Sequence, residues 1–139
     1  MKLKDTSFTG LIIFNRKLDK KAAAEAALSC HLYIEGFGLK KYLERMVKYD
    51  MDNGTKICMC FDKGTPVAIC LTDKGNEVET FVKEEYRRRG IGTKMVKQLS
   101  HPETKYNSGL DGSVEFYKSL GLRPSAVEQA YQNELRYKS

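Results

Sequence analysis

In Glu77-Val78-Glu79-Thr80-Phe81-Val82-Lys83-Glu84-Glu85-Tyr86-Arg87-Arg88-Arg89-Gly90-Ile91-Gly92-Thr93, a β-prone segment runs through a basic loop into a helical pattern at Ile91, Met95, Val96 and Leu99. That order makes an anion site. Backbone N–H groups from Arg88 to Thr93 would have no helical partner, and the helix macrodipole adds about half a positive charge at the same point. Gly90 and Gly92 let a phosphate oxygen approach the backbone with no side chain between. A pyrophosphate matches in size and charge. The same pattern also describes a helix cap in a basic surface loop, and G-x-G alone does not separate the two.

Two phosphate cradles are excluded. The P-loop pattern G-x-x-x-x-G-K-[ST] is absent. The dinucleotide pattern G-x-G-x-x-G fails because Met95 occupies the third glycine position, and no parallel βαβ unit is expected around the loop.

Working outward, Leu11 to Phe14 reads as a first strand and Lys20 to His31 as a helix capped by Asp19, with Ala23, Ala26, Ala27 and Cys30 inward. Leu39, Tyr42, Leu43, Met46 and Val47 form the stripe of a second, core-facing helix. Past Asn53-Gly54 the period changes. Lys56 to Phe61, Pro66 to Leu71 and Glu77 to Val82 predict three antiparallel strands joined at Asp62-Lys63-Gly64 and Asp73-Lys74-Gly75-Asn76. The helix after Gly90 ends at His101-Pro102, a weak strand is expected near Lys105 to Leu110, and Asp111 to Ser113 would cap a helix carrying Val114, Tyr117 and Leu120 that Gly121 closes. The outline is a mixed α/β domain, one unit over residues 1–139.

Composition agrees: 139 residues, 41% hydrophobic, with a formal charge of +6. A chain of this size buries roughly 65–70% of its unfolded surface, enough for one core. The longest apolar runs, Leu11 to Phe14 and Ile57 to Phe61, fall far below the ~20 residues of a membrane span. Asn15-Arg16-Lys17 interrupts the first run, so no secretory h-region is read and a cytoplasmic location is expected. Cys30, Cys58, Cys60 and Cys70 contain no C-x-x-C; four buried thiols are expected, with neither a zinc site nor a redox pair. Asn53-Gly54-Thr55 matches a glycosylation sequon but reads as a turn. The basic balance suits anionic ligands, and equally mere solubility.

Two segments carry a family resemblance. Arg87-x-x-Gly90-x-Gly92 resembles the acetyl-CoA pyrophosphate loop, [QR]-x-x-G-x-[GA], of the GNAT N-acetyltransferases, and Phe116-Tyr117-Lys118-Ser119-Leu120-Gly121-Leu122 is similar to that family's F-Y-x-x-x-G-F segment. The resemblance implies a central, mostly antiparallel sheet flanked by helices, with acetyl-CoA as co-substrate and no metal. It implies that Arg87, Arg88, Arg89, Gly90, Ile91, Gly92 and Thr93 hold the pyrophosphate, chiefly through amides from Arg88 onward. Thr80 to Val82 would pair with the pantetheine arm, and the N–H of Phe81 or Val82 would meet the thioester oxygen. Tyr117 matches the tyrosine that serves the departing CoA thiolate. Tyr33, Ile34 and Phe37, between Gly36 and Gly38, would help form the acceptor pocket. The C-terminal part is abbreviated: Tyr131 to Tyr137 is expected as a strand, and a reduced sheet would leave the cleft open or completed by a second subunit, as in a homodimer. Asp111 stands near where the family has an asparagine.

Chemistry sets what each group must supply. Deprotonating a lysine of pKa ~10.4 at pH 7 costs about 4–5 kcal/mol, so a base is useful. Glu79, and Glu77 on the same strand face, are the candidates for contact with the amine. Complete proton transfer from a phenol of pKa ~10 to a thiolate of ~8.5 is uphill by about 2 kcal/mol, which makes Tyr117 a hydrogen-bond donor worth about 10²–10³ in rate. His31, on the inner side of its helix, and His101 read as packed or solvated. The expectation is an N-acetyltransferase acting on a primary amine in a ternary complex. Protein amines are preferred, with polyamines and antibiotic amines open; the positive charge disfavours a strongly cationic acceptor unless acidic residues gather at the cleft. The alternatives are an inactive protein-binding or inhibitory module of the same fold, and a nucleic-acid binder through Arg87 to Arg89; no membrane partner is expected.

Overall fold

A computed structural model describes residues 11–14, 17–34, 38–49, 54–72, 77–107 and 114–138. The elements in chain order are β1 (Leu11–Phe14), α1 (Lys17–Ser29), α2 (Gly38–Tyr49), β2 (Lys56–Asp62), β3 (Thr65–Thr72), β4 (Glu77–Val82), a 3₁₀ turn (Glu84–Tyr86), α3 (Ile91–Leu99), β5 (Lys105–Tyr106), α4 (Val114–Ser119), β6 (Arg123–Pro124) and α5 (Ala126–Lys138). They form one six-stranded sheet whose spatial order follows chain order. From β1 to β4 neighbours are antiparallel; β5 and β6 join in parallel. The mixed, mostly antiparallel α/β sheet expected from the sequence is present.

Alternation along the strands builds two cores. Ile57, Met59 and Phe61 of β2, with Ile69 and Leu71 of β3, meet the alanine face of α1 and Leu39, Leu43 and Met46 of α2. Cys58, Cys60, Ala68 and Cys70 point the other way, to Ile91, Met95, Val96 and Leu99 of α3. Burying each large α3 side chain contributes roughly 1.5–3 kcal/mol, which clamps the helix to the sheet behind the loop. Lys63 and Gly64 both take positive φ, 51° and 82°, the geometry of a two-residue hairpin turn that matches strand twist.

Several expectations are corrected. Helix α1 begins before Asp19, which lies inside its first turn. His31 is exposed past the helix end, at φ 56°, instead of facing inward. Cys30 is half-buried, whereas Cys58, Cys60 and Cys70 are buried. Strand β5 is described at Lys105 and Tyr106, and Ser108 to Leu110 of the expected strand lie outside the described residues. The loop does sit in a parallel βαβ unit, since β4, α3 and β5 make a parallel crossover. The expected strand at Tyr131 to Tyr137 is helix α5. Ser125 starts that helix: its carbonyl accepts from Gln129 N–H at 2.8 Å and its hydroxyl from Glu128 N–H at 3.1 Å. The turn at Asp73 to Asn76, the cap at Asp111 to Ser113, and Asn53 lie outside the described residues. Among the described residues no helix is long and apolar enough to cross a membrane.

Candidate functional site

A fork in the sheet forms the site. Among the described residues β4 pairs with β3 along most of its length, from Val78 to Val82, and with β5 at Glu77 and Val78. The Asn107 N–H donates to Val78 O at 3.1 Å, the last bond between the two strands among the described residues. Each β4 residue points its N–H and C=O to one side, alternating along the strand. Lys83 N–H bonds Val67 O at 3.0 Å, so Phe81 and Glu79 face β3, while Thr80 and Val82 face the fork. Of the two amides expected to meet a thioester oxygen, Val82 therefore lies on the open edge and Phe81 is committed to the ladder.

A cleft of about 400 Å³ occupies the fork. Its walls are Thr80, Phe81 and Val82 of β4, the loop residues Tyr86, Arg87 and Arg88, the first turn of α3 from Gly90 to Thr93, and Phe116 and Tyr117 of α4. The first bond of the α3 ladder runs from Lys94 N–H to Gly90 O at 3.1 Å. The N–H groups of Ile91, Gly92 and Thr93 precede it at the positive end of the helix. Gly90, the N-cap, has φ 78° and brings no capping side chain.

The two glycines have different reasons. A β-carbon at Gly90 would meet nothing within 4 Å, so the left-handed backbone demands glycine there. At Gly92 a β-carbon would stand 3.2 Å from Phe116 Cζ and 3.7 Å from Val82 Cγ2. Gly92 thus lets α4 close against α3, a packing reason beside the phosphate approach expected from sequence.

The arginines separate too. Arg88, at φ 64°, lines the cleft. Arg87 turns back, donating from Nε to Val82 O at 2.8 Å, with its guanidinium 5.7 Å from the Phe81 ring centre. Arg89 is not part of the cleft wall; its guanidinium stands 5.2 Å from the Tyr86 ring centre. The Tyr86 hydroxyl donates to Asp62 Oδ2 at 2.5 Å, and that bond, with burial and the Asp62 charge, holds the phenol above its ordinary pKa.

Tyr117 is buried, stacked on Tyr106 with ring centres 4.9 Å apart and planes 10° apart, and edge-on to Phe116. Glu77 and Glu79 share the face of β4 that carries Phe81, away from α3, and neither lines the cleft wall. Glu79 Oε1 lies 3.3 Å from where a β-carbon at Gly38 would be, beside the start of α2. Glu77 accepts from Asn107 Nδ2 at 3.1 Å. Tyr33 sits apart from the cleft, bonded to His31 Nδ1 at 3.0 Å under Lys40. Phe37, Gly36 and Asp111 lie outside the described residues.

A family model described as the acetyltransferase (GNAT) domain matches residues 53–124, more than half of the chain. The chain belongs to the GNAT acetyltransferase family. Solved GNAT structures share the fold. An aminoglycoside 6'-N-acetyltransferase from Acinetobacter haemolyticus superposes with a TM-score of 0.57 at 15% identity, covering 84% of this chain and 92% of that one. An aminoglycoside N-acetyltransferase in complex with CoA gives 0.56 at 12% identity over 88% and 93%. A ribosomal-protein-alanine N-acetyltransferase from Brucella melitensis biovar Abortus 2308 gives 0.52 at 12% identity over 85% and 94%. No curated protein matches the chain by sequence.

Sequence reasoning missed two parts of this GNAT site. Asn107 pins the fork and Ser125 orients its amide. Ser125-Ala126-Val127-Glu128 has the S-x-x-E form of a capping box, which was the available signal. Nothing in the sequence pattern singled out Asn107.

Proposed function

We propose that this GNAT protein moves the acetyl group of acetyl-CoA to a primary amine by direct attack in a ternary complex. The supporting observation is the cleft that leads from the Val82 edge of β4 to the amides of Ile91, Gly92 and Thr93. Those amides, with Arg88 alongside, suit a pyrophosphate, and the length of the cleft along Thr80 to Val82 suits a pantetheine arm. In this reading the neutral amine attacks the thioester carbon, the C–N bond forms, the C–S bond breaks, and the oxygen's developing charge is met by the Val82 N–H. Tyr117 donates a hydrogen bond to the departing thiolate. Glu79 takes the amine's proton, directly or through a water, with Glu77 beside it on the same face; both lie on the side opposite α3, so the acceptor enters from the α1–α2 side.

The test is calorimetry with acetyl-CoA on the wild type and Gly90→Glu. That substitution puts a side chain on a left-handed backbone and a negative charge at the anion site. Binding by the wild type, lost in the variant, is expected; no binding, or binding that ignores the substitution, removes the proposal. Intact-mass analysis after incubation with lysate and labelled acetyl-CoA then identifies the class of acceptor, with protein amines expected ahead of small ones.

A further inference from the structure

Three consecutive arginines at one anion site invite a single explanation, yet Arg87 stands on a different task from its neighbours. Its Nε–H donates to Val82 O at 2.8 Å and its guanidinium covers the Phe81 ring at 5.7 Å. Val82 is the last residue of β4, and its carbonyl lies on the edge that faces away from β3, where Val82 lines the cleft. The N–H of the same residue points to the same edge.

We propose that Arg87 is a positioning residue for the β4 edge and not a ligand of the pyrophosphate. By occupying the Val82 carbonyl it pins the Val82–Lys83 peptide from the cleft side while Lys83 N–H on Val67 O pins it from the β3 side, which keeps the end of β4 extended and the Val82 N–H, one peptide earlier, directed at the acyl-pantetheine arm. This rests on the acetyl-CoA reading above. The requirement at this position is then an N–H at a set reach and not a positive charge. Counting bonds from Cα, Nε2 of glutamine falls where Nε of arginine does, whereas lysine has a methylene there. The [QR] alternation at the first position of the loop motif has the same common denominator: both residues share that N–H and only one carries charge.

The experiment is acetyl-CoA calorimetry at two salt concentrations on the wild type, Arg87→Gln, Arg87→Lys, Arg87→Ala and Arg88→Gln. Arg87 is exposed, so folding of each variant is expected and is checked by circular dichroism. Arg87→Gln should bind within about threefold of the wild type with an unchanged salt dependence, while Arg87→Lys and Arg87→Ala lose about tenfold. Arg88→Gln should lose affinity and flatten the salt dependence. If Arg87→Gln binds as poorly as Arg87→Ala, or if Arg87→Lys keeps the affinity that Arg87→Gln loses, Arg87 acts by charge on the phosphates and the inference is overturned while the acetyl-CoA reading stands. A wild type that does not bind acetyl-CoA overturns both.

Discussion

The side-chain amide of Asn107 bridges Glu77 and Ser125: Nδ2 donates to Glu77 Oε1 at 3.1 Å, and Oδ1 accepts from the Ser125 hydroxyl. Because Ser125 Oγ itself accepts from Glu128 N–H at 3.1 Å, the donors run in one direction, from the start of α5 through Ser125 and Asn107 to the β4 carboxylate. With the Asn107 N–H on Val78 O, this ties β5 and the start of α5 to the first half of β4, next to the β4 residues that line the cleft.

Asn107→Leu removes both side-chain bonds at the fork and is expected to destabilise the fold by about 1–3 kcal/mol, read as a lower urea midpoint. Ser125→Ala should cost about 1 kcal/mol through the lost cap of α5, and Ser125→Thr should recover most of it. A neutral Asn107→Leu would remove the fork from the account of the site.

At Gly92 two small terms oppose. Replacing glycine by alanine inside a helix contributes ~1 kcal/mol, against a methyl pressed to 3.2 Å from the Phe116 ring. Gly92→Ala should therefore shift stability by less than about 1 kcal/mol, whereas Gly92→Val should cost about 1–3 kcal/mol and push Phe116 into the cleft it lines. Thermal melts with acetyl-CoA titration separate these effects.

Tyr117→Phe keeps the stack on Tyr106 and deletes the hydroxyl. With the acceptor found by labelling, kcat should fall about 10²-fold with the acetyl-CoA KM unchanged. An unaltered kcat would leave Tyr117 as a packing residue.

For the base, Glu79→Gln should lower kcat at pH 7 by about 10²–10³, and the deficit should shrink as pH approaches the amine's own pKa, where the base is no longer needed. Glu79 also lies beside the start of α2, so the pH profile and not the melting temperature is the decisive readout. A pH-independent deficit would assign Glu79 to structure, and the same profile measured on Glu77→Gln says whether Glu77 is the base.

Burial pushes the thiols of Cys58 and Cys70 up to about 12, with the neighbouring thiols adding to the shift. Their folded pKa values exceed those of the unfolded chain, so the stability they contribute is complete below about pH 9 and is lost as pH rises toward 12. The loss is visible as a falling urea midpoint between pH 9 and 11. At pH 8 neither should react with a thiol reagent in the folded state, while half-buried Cys30 should.

The elements whose signal is local were legible. Three strands between Lys56 and Val82, the stripe of α2 and the helix after Gly90 are written in residue period and turn chemistry, and the structure reproduces them within a residue or two. Helix α5 was readable from Ser125-x-x-Glu128 but was hidden by the expectation of a strand at Tyr131 to Tyr137. The separate tasks of Arg87, Arg88 and Arg89 were not legible, because identical side chains in sequence diverge only when the backbone turns through the left-handed region at Arg88 and Gly90.

The sequence by itself determined a strand, a basic glycine-containing loop and a helix whose first amides have no partner within the helix: periodicity, backbone freedom and helix-end amides are properties of neighbours in the chain. Only the tertiary structure decided that Val82 and not Phe81 turns its N–H away from β3 toward the cleft, and that Asn107, Ser125 and Glu128 tie β4, β5 and the start of α5 together beside it. Those relations join residues far apart in the chain through hydrogen bonds whose direction depends on strand parity and register, and both are settled only when the sheet assembles.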